Sequence, residues 1–347
     1  MEKISWQSPS NIAIIKYWGK YGNQLPRNPS VSFTLKHAVT KTTMIATPLD
    51  KTSGTPQVKF FLAGVENPAF ADRVTKFFGG IREFFPFIES YHYEIHSENS
   101  FPHSSGIASS ASGMSALALC LCELAMRIQG QTEAIGTSSF IERASFISRL
   151  GSGSACRSLY PKLASWGETD AIIGASDTEA TPCEDWLHPL FNGFHDDILI
   201  VSKKEKSVSS TVGHGLMDQN IYAESRYNQA KSRMSVLMDA FRTGDIQTFG
   251  EIAESEALTL HALMMCSTPS FILMKPNTLK IIEEIRNFRA DTKLPLFFTL
   301  DAGPNIHMLY PDQIAKEVAD FRESQLKDLC QDGFMLLDEM GEGPIRL

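Results

Sequence analysis

The sequence has little cysteine. Six thiols are spread over 347 residues, at Cys120, Cys122, Cys156, Cys183, Cys266 and Cys330. None belongs to a Cys-x-x-Cys pair, and no spacing matches a zinc site. A chain of this length buries enough surface to hold its core without disulfides or metal. The sequence therefore predicts reduced thiols in a reducing compartment and argues against a small disulfide-stapled scaffold.

Long apolar runs are also lacking. The densest run, Ala116–Cys122, ends at Glu123 and is too short to cross a bilayer. The first eleven residues, MEKISWQSPSN, contain no apolar stretch of the kind found in secretory signals. We therefore expect a soluble cytoplasmic protein with no membrane partner.

Positive charge is in short supply. The chain carries 32 Lys and Arg residues against 40 Asp and Glu residues, a formal net charge of −8. Non-specific nucleic-acid binding needs clustered basic residues, so we expect no nucleic-acid partner. A local basic pocket for an anionic metabolite is still compatible with this balance. We find no internal repeat that would indicate a solenoid.

The hydrophobic periodicity alternates between strand-like and helix-like segments. Strands are predicted at Val31–Leu35, Lys41–Ala46, Val58–Leu62, Tyr91–Ser97, Pro295–Leu300, His307–Tyr310 and Phe334–Leu337. Helices are predicted at Pro68–Phe85, Ser109–Ile128, Ser138–Leu150, Ala223–Arg242, Asp245–Met265, Pro276–Phe288 and Asp312–Leu329. This order predicts an α+β fold. Residues 174–192, with two prolines and mixed charge, indicate a boundary between domains at 1–190 and 191–347.

A loop of small residues, Phe101–Gly113 (FPHSSGIASSASG), leads into the helix predicted at Ser109–Ile128. Small side chains let a ligand approach the backbone, and a helix start offers free N–H groups to an anion. The loop is not a Walker A motif, and Gly151-Ser152-Gly153 lacks the third glycine of a dinucleotide fingerprint. Composition alone leaves two readings open, a phosphate-binding loop and an ordinary Gly/Ser turn before a helix.

Four segments together resemble one enzyme family. The loop pattern Pro-x-x-x-Gly-Ile-Ala-Ser-Ser is similar to the nucleotide loop of the GHMP kinase superfamily. Three further segments resemble motifs of the mevalonate diphosphate decarboxylases: Ser8–Lys20 (SPSNIAIIKYWGK), Gly151–Tyr160 (GSGSACRSLY) and Thr299–Asn305 (TLDAGPN). The four occur in the family's order and spacing, so the resemblance covers nearly the whole chain.

This resemblance implies a two-lobed GHMP kinase fold. The N-terminal lobe would carry the nucleotide loop, the C-terminal lobe would be ferredoxin-like, and the active site would lie in the cleft between them. The implied reaction is the ATP-dependent decarboxylation of mevalonate 5-diphosphate to isopentenyl diphosphate, with release of ADP, phosphate and CO2, in isoprenoid biosynthesis. ATP and Mg²⁺ are the implied cofactors, and the family implies a possible homodimer. The histidine spacing indicates no dedicated protein metal site.

Three residues are implied to be catalytic. Asp301 would face the C3 hydroxyl as a general base or an orienting group, and Lys16 would lie near the reacting C3 substituents. Arg157 would grip the carboxylate that is lost. Taken alone, the same residues permit an Asx turn at Asp301, a surface or interdomain ion pair at Arg157 and a snorkelling lysine at Lys16.

The other implied contacts hold substrate and nucleotide. The implied substrate-binding residues are Tyr17, Lys20, Ser152, Ser154, Ser209 and Ser210. The implied ATP-binding residues are Pro102, Ser104, Ser105, Gly106, Ala108, Ser109 and Ser110.

The chain departs from the family pattern at several positions. His103 and Ser104 alter the nucleotide loop, and Pro29 replaces a serine. His214 replaces a methionine and would be either a neutral spacer or an added phosphate donor. Arg27 would add a phosphate contact or only surface charge. We expect His261, on a predicted amphipathic helix, to be structural.

Two other functions compete with decarboxylation. One is a kinase of the same fold that phosphorylates mevalonate or its phosphate and stops there. The other is a catalytically silent metabolite sensor. Because Asp301, Lys16 and Arg157 are all present, the sequence favours the decarboxylase.

Overall fold

The computed structural model describes residues 1–102, 107–204 and 207–347. Its strands are β1 (Glu2–Ile15), β2 (Lys20–Tyr21), β3 (Leu25–Pro26), β4 (Ser30–Pro48), β5 (Gln57–Leu62), β6 (Val65–Glu66), β7 (Tyr91–Asn99), β8 (Leu163–Trp166), β9 (Thr181–Pro182), β10 (His195–Leu199), β11 (Phe297–Thr299), β12 (Ile306–Tyr310), β13 (Met335–Leu336) and β14 (Ile345–Arg346). Its α-helices are α1 (Pro68–Gly80), α2 (Ser109–Ile128), α3 (Ser138–Gly151), α4 (Ser210–Gly215), α5 (Ala223–Thr243), α6 (Ile246–Met265), α7 (Pro276–Thr292) and α8 (Ala315–Phe321). Mixed helix and sheet confirm the expected α+β class.

The first lobe is built on a large mixed sheet. Its strand order is β14-β1-β4-β7-β5-β6, and β8 and β9 extend it beyond β4. The β5–β7 pair is parallel, whereas β1 and β4 pair antiparallel along most of their length. The last strand, β14, pairs with β1, so the end of the chain returns to the sheet in which it began.

Helix α2 is the central helix of this lobe. It is long and apolar enough to cross a membrane by length and composition, yet most of it is buried inside the protein. It packs on β1, β4 and α3, and its residues from Ala111 to Ala125 are almost all buried. Its all-round apolarity is therefore that of a core helix, as the sequence predicted.

The second lobe places helices on a four-stranded antiparallel sheet of order β11-β12-β10-β13. Helices α5 and α6 pack on each other, and α6 lies against both β11 and β1. One core cluster joins the lobes, because Ile14 and Phe33 of the first pack with Phe241 and Phe249 of the second. Strand β1 ends just before Lys16 and β11 ends just before Asp301, so the strand ends deliver both residues to the junction of the lobes.

Several sequence predictions of local structure were wrong. The first fourteen-residue strand, β1, was not predicted, and the two strands expected at 31–35 and 41–46 are one strand, β4. Helix α1 ends at Gly80 rather than Phe85, after two glycines that disfavour helix. The helix expected at 312–329 is broken into α8, flanked by 3₁₀ turns and followed by a π turn.

Candidate active site at the junction of the lobes

Lys16 and Asp301 form an ion pair between the lobes. The Lys16 Nζ lies 2.9 Å from Asp301 Oδ1, although 285 residues separate them in sequence. The Lys16 side chain is 1% exposed, whereas the Asp301 side chain is 25% exposed. The ammonium is therefore enclosed by protein, while the carboxylate keeps an open side toward solvent.

Charges around Asp301 determine its protonation state. Burial alone would raise the pKa of this carboxyl group. The Lys16 ammonium, then His307, the Lys16 hydrogen bond and Arg157 outweigh burial, and the net pKa lies below its ordinary value. Asp301 is therefore an ionised carboxylate at neutral pH, ready to accept a hydrogen bond.

Arg157 is a buried cation with neutral partners. Its Nε donates to Ser32 Oγ at 2.8 Å, its Nη1 donates to Ser30 Oγ, and its Nη2 lies 3.4 Å from Asn11 Oδ1. Within residues 1–102, 107–204 and 207–347, no carboxylate lies within ion-pair distance of this guanidinium. A cation enclosed without an anion is electrostatically prepared for an anionic ligand.

Tyr17 brings a hydroxyl to the same region. Its oxygen is buried and has no hydrogen-bond partner within the described residues. Burial raises its pKa, so the phenol stays protonated and can donate to an anion. A Cβ on Gly153 would lie 3.0 Å from this oxygen and 2.6 Å from the Trp166 ring. Glycine there permits the close approach of the turn that carries Ser152 and Ser154.

The ring of His214 fills the space between two aromatic side chains, and its Nδ1 is already hydrogen-bonded within the protein. Its ring packs between Tyr17 and Trp18, with ring centroids 4.4 and 4.6 Å away. Its Nδ1 accepts a hydrogen bond from the Gly19 N–H at 3.0 Å, so that nitrogen is not a donor to phosphate. Helix α4 therefore touches the segment that follows Lys16 through this ring.

The remaining predicted substrate residues lie at the start of α4 and in the β2–β3 hairpin. Ser209 caps α4 by accepting from the Val212 N–H, and Ser210 follows it. Lys20 donates to Gln24 within the β2–β3 hairpin at 2.9 Å, and burial lowers its pKa. The exposed Arg27, whose role the sequence left open, has its Nη2 3.8 Å from Asp218 Oδ1.

The predicted nucleotide loop is described at its two ends. Ser104, Ser105, Gly106 and the neighbouring His103 lie outside the described residues. Pro102 precedes them, and Ala108 adopts a left-handed conformation (φ 45°) before α2. Helix α2 begins at Ser109, its first turn has no acidic residue, and its N-cap residue Ala108 provides no side-chain cap within the described part of the chain. Its first N–H groups therefore suit a phosphate.

Several residues around the pair were not assigned to the site from the sequence, and His261 among them was expected to be only structural. The Nε2–H of His261 donates to the Asp301 main-chain oxygen at 3.1 Å, and burial lowers the pKa of His261 to about 4. Asn11 contacts Arg157 and also donates to Ser154 O. Arg226 and Glu256 contact the Lys16 backbone. Only Asn11 lies inside a recognised motif, so only Asn11 carried a sequence signal.

No group of three or more His, Cys, Asp or Glu side chains suited to a metal ion occurs in the part of the chain that the structure describes. Mg²⁺ usually keeps several waters and binds through one or two carboxylates and the phosphate oxygens of a substrate, so an ATP-bound Mg²⁺ would need no such group.

The two-lobed arrangement, with the Lys16–Asp301 ion pair at the junction of the lobes, is that of a GHMP-type enzyme fold. Residues 8–179 match the model of the diphosphomevalonate decarboxylase-like N-terminal domain. Residues 197–333 match that of the mevalonate 5-diphosphate decarboxylase C-terminal domain.

Relatives agree over most of the chain. The diphosphomevalonate decarboxylase of Ganoderma lucidum is 30% identical over 339 residues, covering 90% of this chain and 79% of that one. The mevalonate diphosphate decarboxylase structure from Staphylococcus aureus is 25% identical with a TM-score of 0.83, covering 100% and 98% of the two chains. A structure of MDDEF in complex with MVAPP, AMPPCP and magnesium is 27% identical with a TM-score of 0.82, covering 100% and 99%. The chain belongs to the mevalonate diphosphate decarboxylase family.

Proposed function

We propose that this chain catalyses the ATP-dependent decarboxylation of mevalonate 5-diphosphate to isopentenyl diphosphate. The observation that carries the proposal is the Lys16–Asp301 pair at the lobe junction, near a buried Arg157 that has no acidic partner within the described residues. The sequence resemblance anticipated this chemistry, and the family membership supports it.

Asp301 acts on the C3 hydroxyl. Its lowered pKa keeps it ionised, which makes it a good hydrogen-bond acceptor and a weak base. Transfer of a phosphoryl group depends mainly on positioning and charge stabilisation, so a weak base suffices. Asp301 therefore orients the hydroxyl oxygen toward the γ-phosphorus of ATP and accepts its proton as the new O–P bond forms and ADP departs, and Lys16 offsets the negative charge that collects beside it.

Arg157 acts on the substrate carboxylate. Three of its donors are occupied by Ser30, Ser32 and Asn11, which fixes the plane of the guanidinium. Its remaining N–H groups are available to a carboxylate. In the second step the C3–O bond to phosphate breaks, and the electrons of the C–CO2 bond form the new double bond. Arg157 holds the carboxylate in line for that loss, and neutral CO2 then leaves it.

The start of α2 is the proposed binding region for the ATP phosphates, through main-chain N–H groups near Ser109 and Ser110. The MDDEF structure that holds MVAPP, AMPPCP and magnesium supports ATP and Mg²⁺ as the cofactors here. Bound Mg²⁺ supplies charge neutralisation on the phosphate oxygens.

The proposal includes a soluble protein that works in the cytoplasm and associates as a homodimer. The division of the chain at residue 190 and the remaining substrate contacts at Tyr17, Lys20, Ser152, Ser154, Ser209 and Ser210 also stay predictions. Sedimentation at micromolar concentration tests the dimer directly.

The experiment follows ADP and CO2 together. Purified protein, Mg-ATP and mevalonate 5-diphosphate should give equal yields of both products. ADP without CO2 would indicate a kinase. If neither ADP nor CO2 forms, with mevalonate 5-diphosphate or with the 5-monophosphate, the proposal is overturned and the sensor is favoured.

Asp301→Asn provides the matched variant. We expect turnover to fall by about 10²–10⁴-fold because the orienting carboxylate is lost. Asp312→Asn, at a surface aspartate paired with His195, should leave turnover within about twofold. Near-normal turnover in Asp301→Asn would remove Asp301 from the mechanism.

A further inference from the structure

The backbone of Lys16 is held by three side chains. Glu256 Oε2 accepts from the Lys16 N–H at 2.9 Å. Arg226 Nη2 and Asn28 Nδ2 both donate to the Lys16 carbonyl oxygen, at 3.1 and 3.0 Å. The last residue of β1 that pairs with β4 is Ile15, which lies opposite Val31. Lys16 follows it, so side chains rather than a neighbouring strand hydrogen-bond the N–H and the carbonyl oxygen of Lys16.

Two of the three side chains are themselves locked together. Arg226 on α5 and Glu256 on α6 form a two-point ion pair, with Nη1–Oε1 at 2.8 Å and Nη2–Oε2 at 2.5 Å. Arg233 adds a further contact of 2.8 Å to Glu256. The Arg226 and Glu256 side chains are 1% and 0% exposed. The pair is buried and joined at two points, and both Nη atoms of Arg226 are hydrogen-bonded, whereas its Nε has no partner within the described residues. Two-point contacts of this kind restrict the rotation of both side chains.

We propose that the Arg226–Glu256 pair, with Asn28, positions the Lys16 ammonium on Asp301 and so sets the geometry of the reacting centre. This inference rests on the proposed function. Arg226 and Glu256 belong to the second lobe and Lys16 to the first, so the pair fixes Lys16 in the frame of the lobe that carries Asp301. Misplacement of a reacting group by about 1 Å can cost about 10²-fold in rate.

Helix α6 carries a second pair that serves as a control. Glu254 accepts from Arg289 at 2.7 and 3.2 Å, and Arg289 also donates to the Leu296 main-chain oxygen. This arrangement has the same chemistry as the first: a two-point ion pair and one main-chain carbonyl. Its hydrogen bonds go to Glu254 and Leu296 and not to Lys16.

The first test compares Arg226→Lys with Arg289→Lys. A lysine ammonium keeps the charge but cannot span two carboxylate oxygens and a carbonyl. We expect kcat to fall at least tenfold in Arg226→Lys, with KM for ATP within about twofold. Arg289→Lys should keep both within about twofold. Equal kcat values in the two variants would overturn the inference. If Arg226→Lys does not fold, Asn28→Ala is the second variant, with a smaller loss expected in the same direction.

The second test asks whether Arg226 acts through Lys16. Single-turnover rates are measured for Lys16→Met with and without Arg226→Lys. Once the ammonium is gone, we expect the second substitution to cause no further loss. Losses that multiply would show an independent, merely structural role and overturn the inference.

A third readout separates this inference from the proposed function. The pKa of Asp301 is measured by ¹³C NMR titration of aspartate-labelled protein, with Asp301→Asn for assignment. We expect Arg226→Lys to raise it and Arg289→Lys to leave it unchanged, because only the first substitution displaces the Lys16 ammonium. Wild-type protein without turnover would overturn the proposed function while this titration still tests the positioning. An unchanged Asp301 pKa in Arg226→Lys would overturn the positioning itself.

Discussion

Arg157 and Arg226 are buried to the same extent, and each is 2% exposed. Arg226 faces the carboxylate of Glu256, whereas Arg157 faces two serine hydroxyls and an asparagine amide. Burying a charge is costly unless it is paired. Arg226 is therefore neutralised by the fold, whereas Arg157 has no carboxylate partner within the described residues and, under the proposed function, pairs with the substrate carboxylate. The comparison distinguishes an arginine held by an ion pair from the arginine proposed to bind substrate, and only Arg157 lies in a motif that the sequence reveals.

The largest expected effect is on the stability of Arg226→Gln. Glu256 would lose its two-point partner and keep only the single contact with Arg233, so we expect a loss of unfolding free energy toward the lower end of the roughly 3–5 kcal/mol of a broken buried ion pair. Urea unfolding should show the midpoint moving to lower urea with an unchanged slope. Arg242→Gln is the control, since its pair with Asp239 is exposed and worth less than about 1 kcal/mol. If Arg226→Gln loses no more unfolding free energy than Arg242→Gln, the buried ion pair of Arg226 does not stabilise the fold as this comparison requires.

The next effect is on the turnover of Arg157→Gln. We expect kcat to fall about 10²–10³-fold through loss of a preorganised donor. Unfolding free energy should change by about 1 kcal/mol or less, because no carboxylate is left without its partner. Steady-state kinetics with CO2 detection and urea unfolding measure the two. Destabilisation equal to that of Arg226→Gln would mean that Arg157 has an acidic partner in the free protein.

The smallest expected effect is on the pH dependence of stability, and it concerns a third buried side chain, His261. Its Nε2–H donates to a main-chain oxygen, and its pKa of about 4 keeps the ring neutral. The unfolded ring binds a proton near pH 6.5, so unfolding takes up a proton between about pH 6.5 and 4. This residue therefore makes stability fall as the pH is lowered through that window, by about 1–3 kcal/mol. His261→Gln should lose that part of the decline in urea unfolding at pH 7 and pH 4.5, and identical declines would contradict it.

Local signals explain how far the sequence predicted the fold. Helix α2 occupies the predicted residues Ser109–Ile128, because an apolar run that ends at a glycine is unambiguous. Strand β4 was predicted as two strands because the exposed Lys36 and His37 interrupt its apolar pattern. Their N–H groups are bound by Asp338, some 300 residues away, which no local pattern reveals.

The residues of the candidate site fall into the same two groups, those with a local sequence signal and those without one. Lys16, Arg157 and Asp301 lie in recognisable motifs, and the structure brings Lys16 and Asp301 into contact. Arg226 and Glu256 lie on helices whose charges look like ordinary solvated faces in sequence. Their importance comes from three-dimensional proximity to the end of β1, which depends on packing between the lobes. No spacing within α5 or α6 could have indicated it.

The setting of Lys16 also has a consequence for biosynthesis. Its partners follow it along the chain by 12 residues at Asn28, 210 at Arg226, 240 at Glu256 and 285 at Asp301. A ribosome that has made only the first lobe has therefore made Lys16 without most of its partners. Contacts this distant in sequence form late in folding, since the intervening chain must first be ordered. The Lys16–Asp301 ion pair therefore cannot form before Asp301 has been synthesised, and a chain released before that point would carry Lys16 without its acidic partner.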